Sequence, residues 1–287
     1  MQEHTVTDLP PRVGFIGLGD QGAPMARRIV DAGYATTLWA RRSASVDSFR
    51  YTNARVAASP REVGELSDLV EICVRSDVDV EQVLLGDDGV LAGMSDGGVV
   101  AVHSTTHPET CRRLAAEARA VGVSLVDAPV SGGGERAAQR QLLVMVGGDG
   151  PAVERCRPVF ESYGDPVIHV GPVGAGQLAK LVNNLLFTAH LAVATRGYEM
   201  AAALGIELGA LGRSLACGSA RSFALDLLAN SGFTAATSAA RAGPLLLKDM
   251  RILFELADAE SVSAPLLRAL AGDALDVMGQ EPLGECG

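Results

Sequence analysis

A short apolar run, Val13-Gly14-Phe15-Ile16, leads directly into Gly17-Leu18-Gly19-Asp20-Gln21-Gly22, and behind it Met25, Ile29 and Val30 recur at helical spacing. Strand, glycine turn and helix in that order leave few folds open. Gly17 permits the tight turn, Gly19 lets a ligand approach the backbone, and Gly22 lets the helix pack against the strand. The helix start then offers N–H groups and the positive end of its dipole to phosphates. The segment 17–22 therefore predicts a dinucleotide-binding turn at the first strand of a Rossmann domain.

The next strand bears on which dinucleotide. Thr36 to Ala40 is β-branched at its start and aromatic near its end, and the chain continues Ala40-Arg41-Arg42-Ser43. An NAD site usually has Asp or Glu at this strand end, accepting from the ribose 2′-hydroxyl. Here Ala40 stands there and two guanidinium groups follow, the side chain suited to bidentate phosphate binding. The sequence favours NADP over NAD, with Ala40, Arg41 and Arg42 lining the 2′ end.

Strand-like runs recur at Leu69–Val74, Val99–Val102, Ser124–Val126, Leu142–Val146 and Val167–Val170. Helical stretches fall between most of them, at Pro60–Leu66, Asp79–Leu85, Pro108–Val121 and Pro151–Tyr163. Such alternation predicts βαβ units and a doubly wound, mainly parallel sheet. Near Gly171 the pattern changes. From Leu178 onward the chain is rich in Ala and Leu with helical spacing, and Leu178–Leu204 alone reads as one long helix. The expected organisation is α/β: a polar tail over residues 1–11, a Rossmann domain over 12–172, and an all-helical domain over 173–287.

The net charge of -10 disfavours nucleic acid and anionic lipid as partners, though not a small anionic substrate. Cys73, Cys111, Cys156, Cys217 and Cys286 are odd in number and form no CxxC pair, which fits reduced thiols in a cytoplasmic protein. His103 and His107 have HxxxH spacing but fall at a strand end and loop, so they read as polar loop residues and no metal site is expected. No secretory leader is evident, and no unbroken apolar stretch reaches the roughly 20 residues a bilayer requires.

The motifs together resemble the β-hydroxyacid dehydrogenase family. The resemblance rests on GFIGLGDQGAPMA at the start, HSTTHP at 103–108, DAPVSGGGERAAQRQL at 127–142, GAGQLAKLVNN at 174–184 and PLLLKDM at 244–250. Five motifs in order are more specific than any one. The resemblance implies hydride transfer between a nicotinamide cofactor and a short, carboxylate-bearing hydroxy acid, in a homodimer or homotetramer assembled through the helical domain. It implies that Lys180 is the catalytic lysine and that Asn184, one turn on, orients the lysine or the substrate hydroxyl. A lysine can take the hydroxyl proton during oxidation and return it during reduction if its pKa is brought toward the working pH.

The same resemblance makes Ser131, Gly132 and Gly133 the substrate loop, and places Lys248 near both nicotinamide and substrate. Thr105 matches the position contacting the nicotinamide half, and Val74 and Arg75 match a loop beside the cofactor. Arg75 departs from the proline usual there. Val102 stands where an acidic residue often precedes the Ser-Thr pair, and Gln139-Arg140-Gln141 replaces a smaller, glycine-containing stretch. Phe233 is a candidate for the pocket lining. Two other readings stand beside this one: an imine reductase, whose members usually carry Asp or Tyr at the lysine position, and a cofactor-binding module without catalysis. Lys180 argues against both.

Overall fold

A computed structural model describes residues 10–284. Its first half alternates strands and helices: β1 (Val13–Ile16), α1 (Gly22–Asp31), β2 (Thr36–Trp39), β3 (Arg55–Val56), α2 (Pro60–Glu65), β4 (Leu69–Ile72), α3 (Asp77–Leu85), β5 (Val99–Val102) and α4 (Pro108–Ala120). There follow β6 (Ser124–Asp127), β7 (Val130–Ser131), α5 (Gly133–Ala138), β8 (Leu142–Gly147), α6 (Gly150–Phe160) and β9 (Gly164–Gly171). The rest is helical: α7 (Ala175–Ala203), α8 (Leu208–Cys217), α9 (Phe223–Asn230), α10 (Ala236–Ala259) and α11 (Pro265–Val277).

The strands form one sheet in the order β3-β2-β1-β4-β5-β6-β8-β7, with β9 also paired to β8. From β3 to β6 every pairing is parallel, with Val13 opposite both Thr36 and Leu69. β8 runs antiparallel to β6 and β7. The chain winds one way from β1 to β2 and the other way to β4, so a crevice opens at the carboxyl ends of β1 and β4, where such sheets bind ligands.

Both sheet faces are covered, and that explains the unbroken apolar runs. Alternate strand residues enter different cores. Val13, Phe15, Val99 and Ala101 pack with Met25, Ile29 and Phe160 on one face, while Ile16, Val70, Ile72, Val100 and Val102 pack with Val63 and Leu114 on the other. Each of these buried Val, Leu, Ile, Met and Phe side chains contributes about 1.5–3 kcal/mol. Helix starts are set by side chains the sequence supplies: Ser59 accepts from the Glu62 N–H at α2, and Ser76 from the Asp79 N–H at α3.

By internal contacts the chain divides into two compact units, ending and beginning at Lys180 and Leu181. The second has its own core, in which Leu191, Ala192 and Tyr198 of α7 meet Leu228, Met250, Phe254 and Leu275. With its 29 residues, α7 is long and apolar enough to cross a bilayer by length and mean composition, although it is not an unbroken apolar stretch. Single polar residues interrupt the apolar run without lowering its mean much. Half of its most apolar window is buried inside the protein, so core packing accounts for much of that composition.

Candidate active site

At the glycine turn, close packing dictates two of the three glycines. Gly17 has φ +100°, and a Cβ there would lie 2.1 Å from the Cys73 carbonyl oxygen. A Cβ on Gly22 would lie 2.0 Å from the Gly17 oxygen. Gly19 differs, because a Cβ there would meet nothing within 4 Å. Its surroundings are open, as a backbone approached by a ligand requires. Leu18 is buried, Asp20 is exposed, and Gln21 precedes α1 with a buried amide nitrogen that has no hydrogen-bond partner. No acidic residue stands in the first turn of α1. An open glycine, an unpartnered amide and an uncompensated helix start fit a pyrophosphate.

The segment Ser131-Gly132-Gly133 leads into α5, with φ +137° at Gly132 and +78° at Gly133. A Cβ on Gly134 would lie 2.4 Å from the Asp20 oxygen. This segment therefore lies directly against the glycine turn, and Gly134, which the sequence reading gave no role, is what permits the contact.

At the end of β2, Ala40 is half-buried and Arg41 and Arg42 are exposed. Arg41 donates from Nη1 to Asp79 Oδ1 at 3.0 Å. Beyond β4 the Val74 N–H donates to Ser104 Oγ at 2.8 Å, while Arg75 is exposed. Thr105, half-buried, lies between Ser104 and Thr106 on the loop after β5.

The start of α7 is joined to these loops. Asp127, at the end of β6, accepts the Gly174 N–H at Oδ1 (2.7 Å) and the Gln177 N–H at Oδ2 (2.8 Å). Burial pushes its carboxyl up to about 6, against the pull of those N–H groups in the other direction. The Gln177 side chain reaches residues 104 and 106. Asp127 and Gln177 lie inside motifs the sequence reading used, yet gained no role there. Their partners are 47 to 73 residues away, and no local pattern reports such pairings.

Lys180 and Asn184 are both on α7, four residues apart. In the second unit, Asn184 Nδ2 donates to Asp249 Oδ2 at 2.6 Å, and Lys248 Nζ lies 2.9 Å from Asp249 Oδ1. Asn183 in turn donates to Asn184 Oδ1 at 3.1 Å. Asp249 is 3% exposed and orients both neighbours, a role its position beside Lys248 did not reveal. Phe233 packs edge-on against Tyr198, ring centroids 5.0 Å apart.

The histidines correct one expectation. His107 behaves as a loop residue and caps α4, its ring accepting from the Glu109 N–H. His103 is instead buried, with Nδ1 donating to the Ala128 carbonyl at 2.7 Å and Nε2 3.2 Å from Tyr163 Oη and 3.4 Å from Glu71 Oε2. Among the described residues no group of His, Cys, Asp and Glu could hold a metal ion.

Two family models match the chain. One describes the NAD binding domain of 6-phosphogluconate dehydrogenase and spans residues 12–171. The other describes the NAD-binding region of NADP-dependent 3-hydroxyisobutyrate dehydrogenase and spans residues 174–282. The chain is 34% identical to a NAD-dependent L-serine dehydrogenase of Pseudomonas aeruginosa over 262 residues, 89% of this chain and 88% of that one. It is 36% identical over 197 residues to a 3-hydroxyisobutyrate dehydrogenase of the same organism, 69% of this chain and 65% of that one. The solved structure of Mycobacterium tuberculosis 3-hydroxyisobutyrate dehydrogenase with L-serine superposes with a TM-score of 0.81 at 26% identity, covering 94% of this chain and 99% of that one.

Proposed function

The chain belongs to the β-hydroxyacid dehydrogenase family, and from that premise we propose that it transfers hydride between NADP(H) and a short β-hydroxy acid or the matching semialdehyde. It is an oxidoreductase acting on CH–OH groups with a nicotinamide cofactor. The observation carrying the finer reading is Lys180 on the second turn of a helix whose first turn is hydrogen-bonded to the loops after β5 and β6. The substrates in the relatives' names support the class. L-Serine and 3-hydroxyisobutyrate are both three-carbon-backbone acids with a hydroxyl on the carbon β to the carboxylate.

When bound, the nicotinamide accepts hydride in one direction and donates it in the other. The chain's own residues do the rest. Lys180 takes the hydroxyl proton as an alcohol is oxidised and returns it as a carbonyl is reduced. Asn184 holds the reacting oxygen, and Asp249 fixes the Asn184 amide so that its carbonyl end stays directed away from that carboxylate. Ser131 and the backbone of Gly132 and Gly133 bind the substrate carboxylate, with Lys248 adding positive charge. Gly17 to Gly22 hold the pyrophosphate, Val74, Arg75 and Thr105 border the nicotinamide half, and Ala40, Arg41 and Arg42 accommodate a 2′-phosphate. That last assignment favours NADP, while the L-serine dehydrogenase relative is named as NAD-dependent.

The test follows NADPH absorbance with a panel of short semialdehydes, 2-keto acids and cyclic imines, and NADP reduction with β-hydroxy acids. Semialdehydes and β-hydroxy acids are expected to turn over. Lys180→Ala is expected to lose turnover by about 10²–10⁴-fold with NADPH affinity kept within a few-fold. Unchanged turnover in that variant removes Lys180 from the mechanism, and turnover of cyclic imines alone replaces the substrate class.

A further inference from the structure

Gln177 is completely buried in the first turn of α7. Both ends of its side-chain amide are engaged by one loop. Oε1 accepts the Thr106 N–H at 3.0 Å and Nε2 donates to the Ser104 carbonyl at 2.9 Å. Those two backbone groups flank Thr105 on either side. An amide presenting one acceptor and one donor to the residues before and after a position holds that backbone much as a neighbouring strand does. The Ser104 hydroxyl meanwhile accepts the Val74 N–H, so a second loop, the one after β4, is tied to the same point. On the helix side, Asp127 Oδ2 accepts the Gln177 N–H at 2.8 Å and fixes the turn from which the side chain extends. Lys180 follows three residues later, on the same helix face.

Buried backbone groups require partners, and any partner would meet that requirement. Here the partner comes from the helix that carries the amine. A change in the backbone around Thr105 is therefore transmitted to the turn before Lys180. We propose that Gln177 is a positioning residue, locking the backbone around Thr105 to the helical turn that presents Lys180 so that the nicotinamide contact and the proton carrier keep one spacing. This rests on the roles given above to Thr105 and Lys180.

Two variants separate positioning from simple structural support. Gln177→Leu removes both hydrogen bonds. Gln177→Glu keeps length and volume and still accepts from the Thr106 N–H, but when ionised it sets an oxygen against the Ser104 carbonyl. When protonated, its hydroxyl can donate to that carbonyl and restore the clamp. Titratable groups around position 177 are Asp127 from β6, Cys111 from α4, whose thiol also meets the Gln177 side chain, and Lys180 on the same helix face. Burial and Asp127 disfavour ionisation of a glutamate there, while Lys180, the Cys111 thiol and the Thr106 N–H favour it, so the direction of the pH dependence is read from the ratio to wild type.

Gln177→Leu is expected to lower kcat per folded molecule on the order of 100-fold, as a misplacement of about 1 Å does. NADPH affinity should stay within about threefold, and the isotope effect with deuterated reduced cofactor should rise as hydride transfer becomes limiting. For Gln177→Glu, the ratio of its kcat to that of the wild type should rise about tenfold as pH is lowered from about 8 to about 6. In the absence of cofactor, deuterium exchange of the 104–110 segment should be at least tenfold faster in Gln177→Leu. If that variant does not fold, Gln177→Glu and its pH ratio carry the test. Wild-type turnover together with unchanged kcat, pH ratio and exchange in the variants overturns this proposal alone. Wild-type failure on the whole panel overturns the functional reading and takes this proposal with it.

Discussion

Arg41 is held by an ion pair that a phosphate can displace. Its Nη1 lies 3.0 Å from Asp79 Oδ1, but the arginine side chain is 72% exposed. An exposed pair of this kind contributes at most about 1 kcal/mol. A 2′-phosphate carries more charge and accepts bidentately, so it competes well for the same guanidinium. Arg42 is exposed beside it, and Ala40 leaves no carboxylate of its own at the strand end. Arg41→Ala and Arg42→Ala are each expected to weaken NADPH binding by about 10- to 100-fold, the range of a charge-assisted hydrogen bond. NADH binding should change by less than about threefold. Fluorescence titration of both cofactors reads the difference, and equal losses for the two contradict a 2′-phosphate contact.

Among the elements, α7 depends most on a residue outside itself. Asp127 sits at its N-terminus, and the folded chain holds the Asp127 proton up to about 6 because burial penalises the carboxylate. In the unfolded chain the same group releases its proton near 3.8. Between those two values the folded state binds more protons than the unfolded state. Stability from this group is therefore greatest at the acid end and declines as pH rises toward 6, by about 3 kcal/mol in all. Asp68, held low by Arg12, acts in the opposite sense, but only at lower pH. Melting temperature should therefore rise as pH is lowered from about 7.5 to about 5, and Asp127→Asn should flatten that slope. A slope unchanged in Asp127→Asn places the titrating group elsewhere. Elements such as β1 and β5 were legible in the sequence because both faces of each strand are buried, giving Val-Gly-Phe-Ile and Val-Val-Ala-Val. The glycine turn was legible for a related reason: its residues make local contacts between a strand and the helix that follows. α5 was not legible, because Ser-Gly-Gly-Gly reads as a turn and its helix lasts only six residues. β7 is only two residues long and has no period to read, whereas β9 was read in part, at Val167–Val170, because its exposed first half carries no apolar run. Glu71 is buried within the strand read at Leu69–Val74 and lies 3.4 Å from His103 just past β5, a pairing no strand pattern reports. Lys180 and Asn184 stood out through their motif, whereas Asp127, Gln177 and Asp249 act through partners distant in sequence.

At the scale of the whole molecule, α7 presents apolar surface that its own unit does not cover. Val182, Leu186, Val193 and Met200 of α7, and Leu204 immediately past its end, are all exposed, between 45% and 71%. At 100° per residue they fall within an arc of roughly 40°, a single stripe along the second unit's part of the helix. A second copy of the chain, related by a two-fold axis, would bring stripe against stripe, the self-complementary arrangement of a homodimer. Each of these side chains, already partly covered, would contribute about 0.7–2 kcal/mol on burial of the rest, once in each subunit. A charge placed in the stripe would meet its own copy or apolar neighbours. Val193→Asp combined with Met200→Asp is therefore expected to halve the mass measured by light scattering if the wild type is a dimer, or to reduce a tetramer to a smaller species. The helical content should be unchanged, since both side chains point away from the unit's core. A mass identical in wild type and double variant, in the absence of detergent, would mean that this stripe is not where subunits meet.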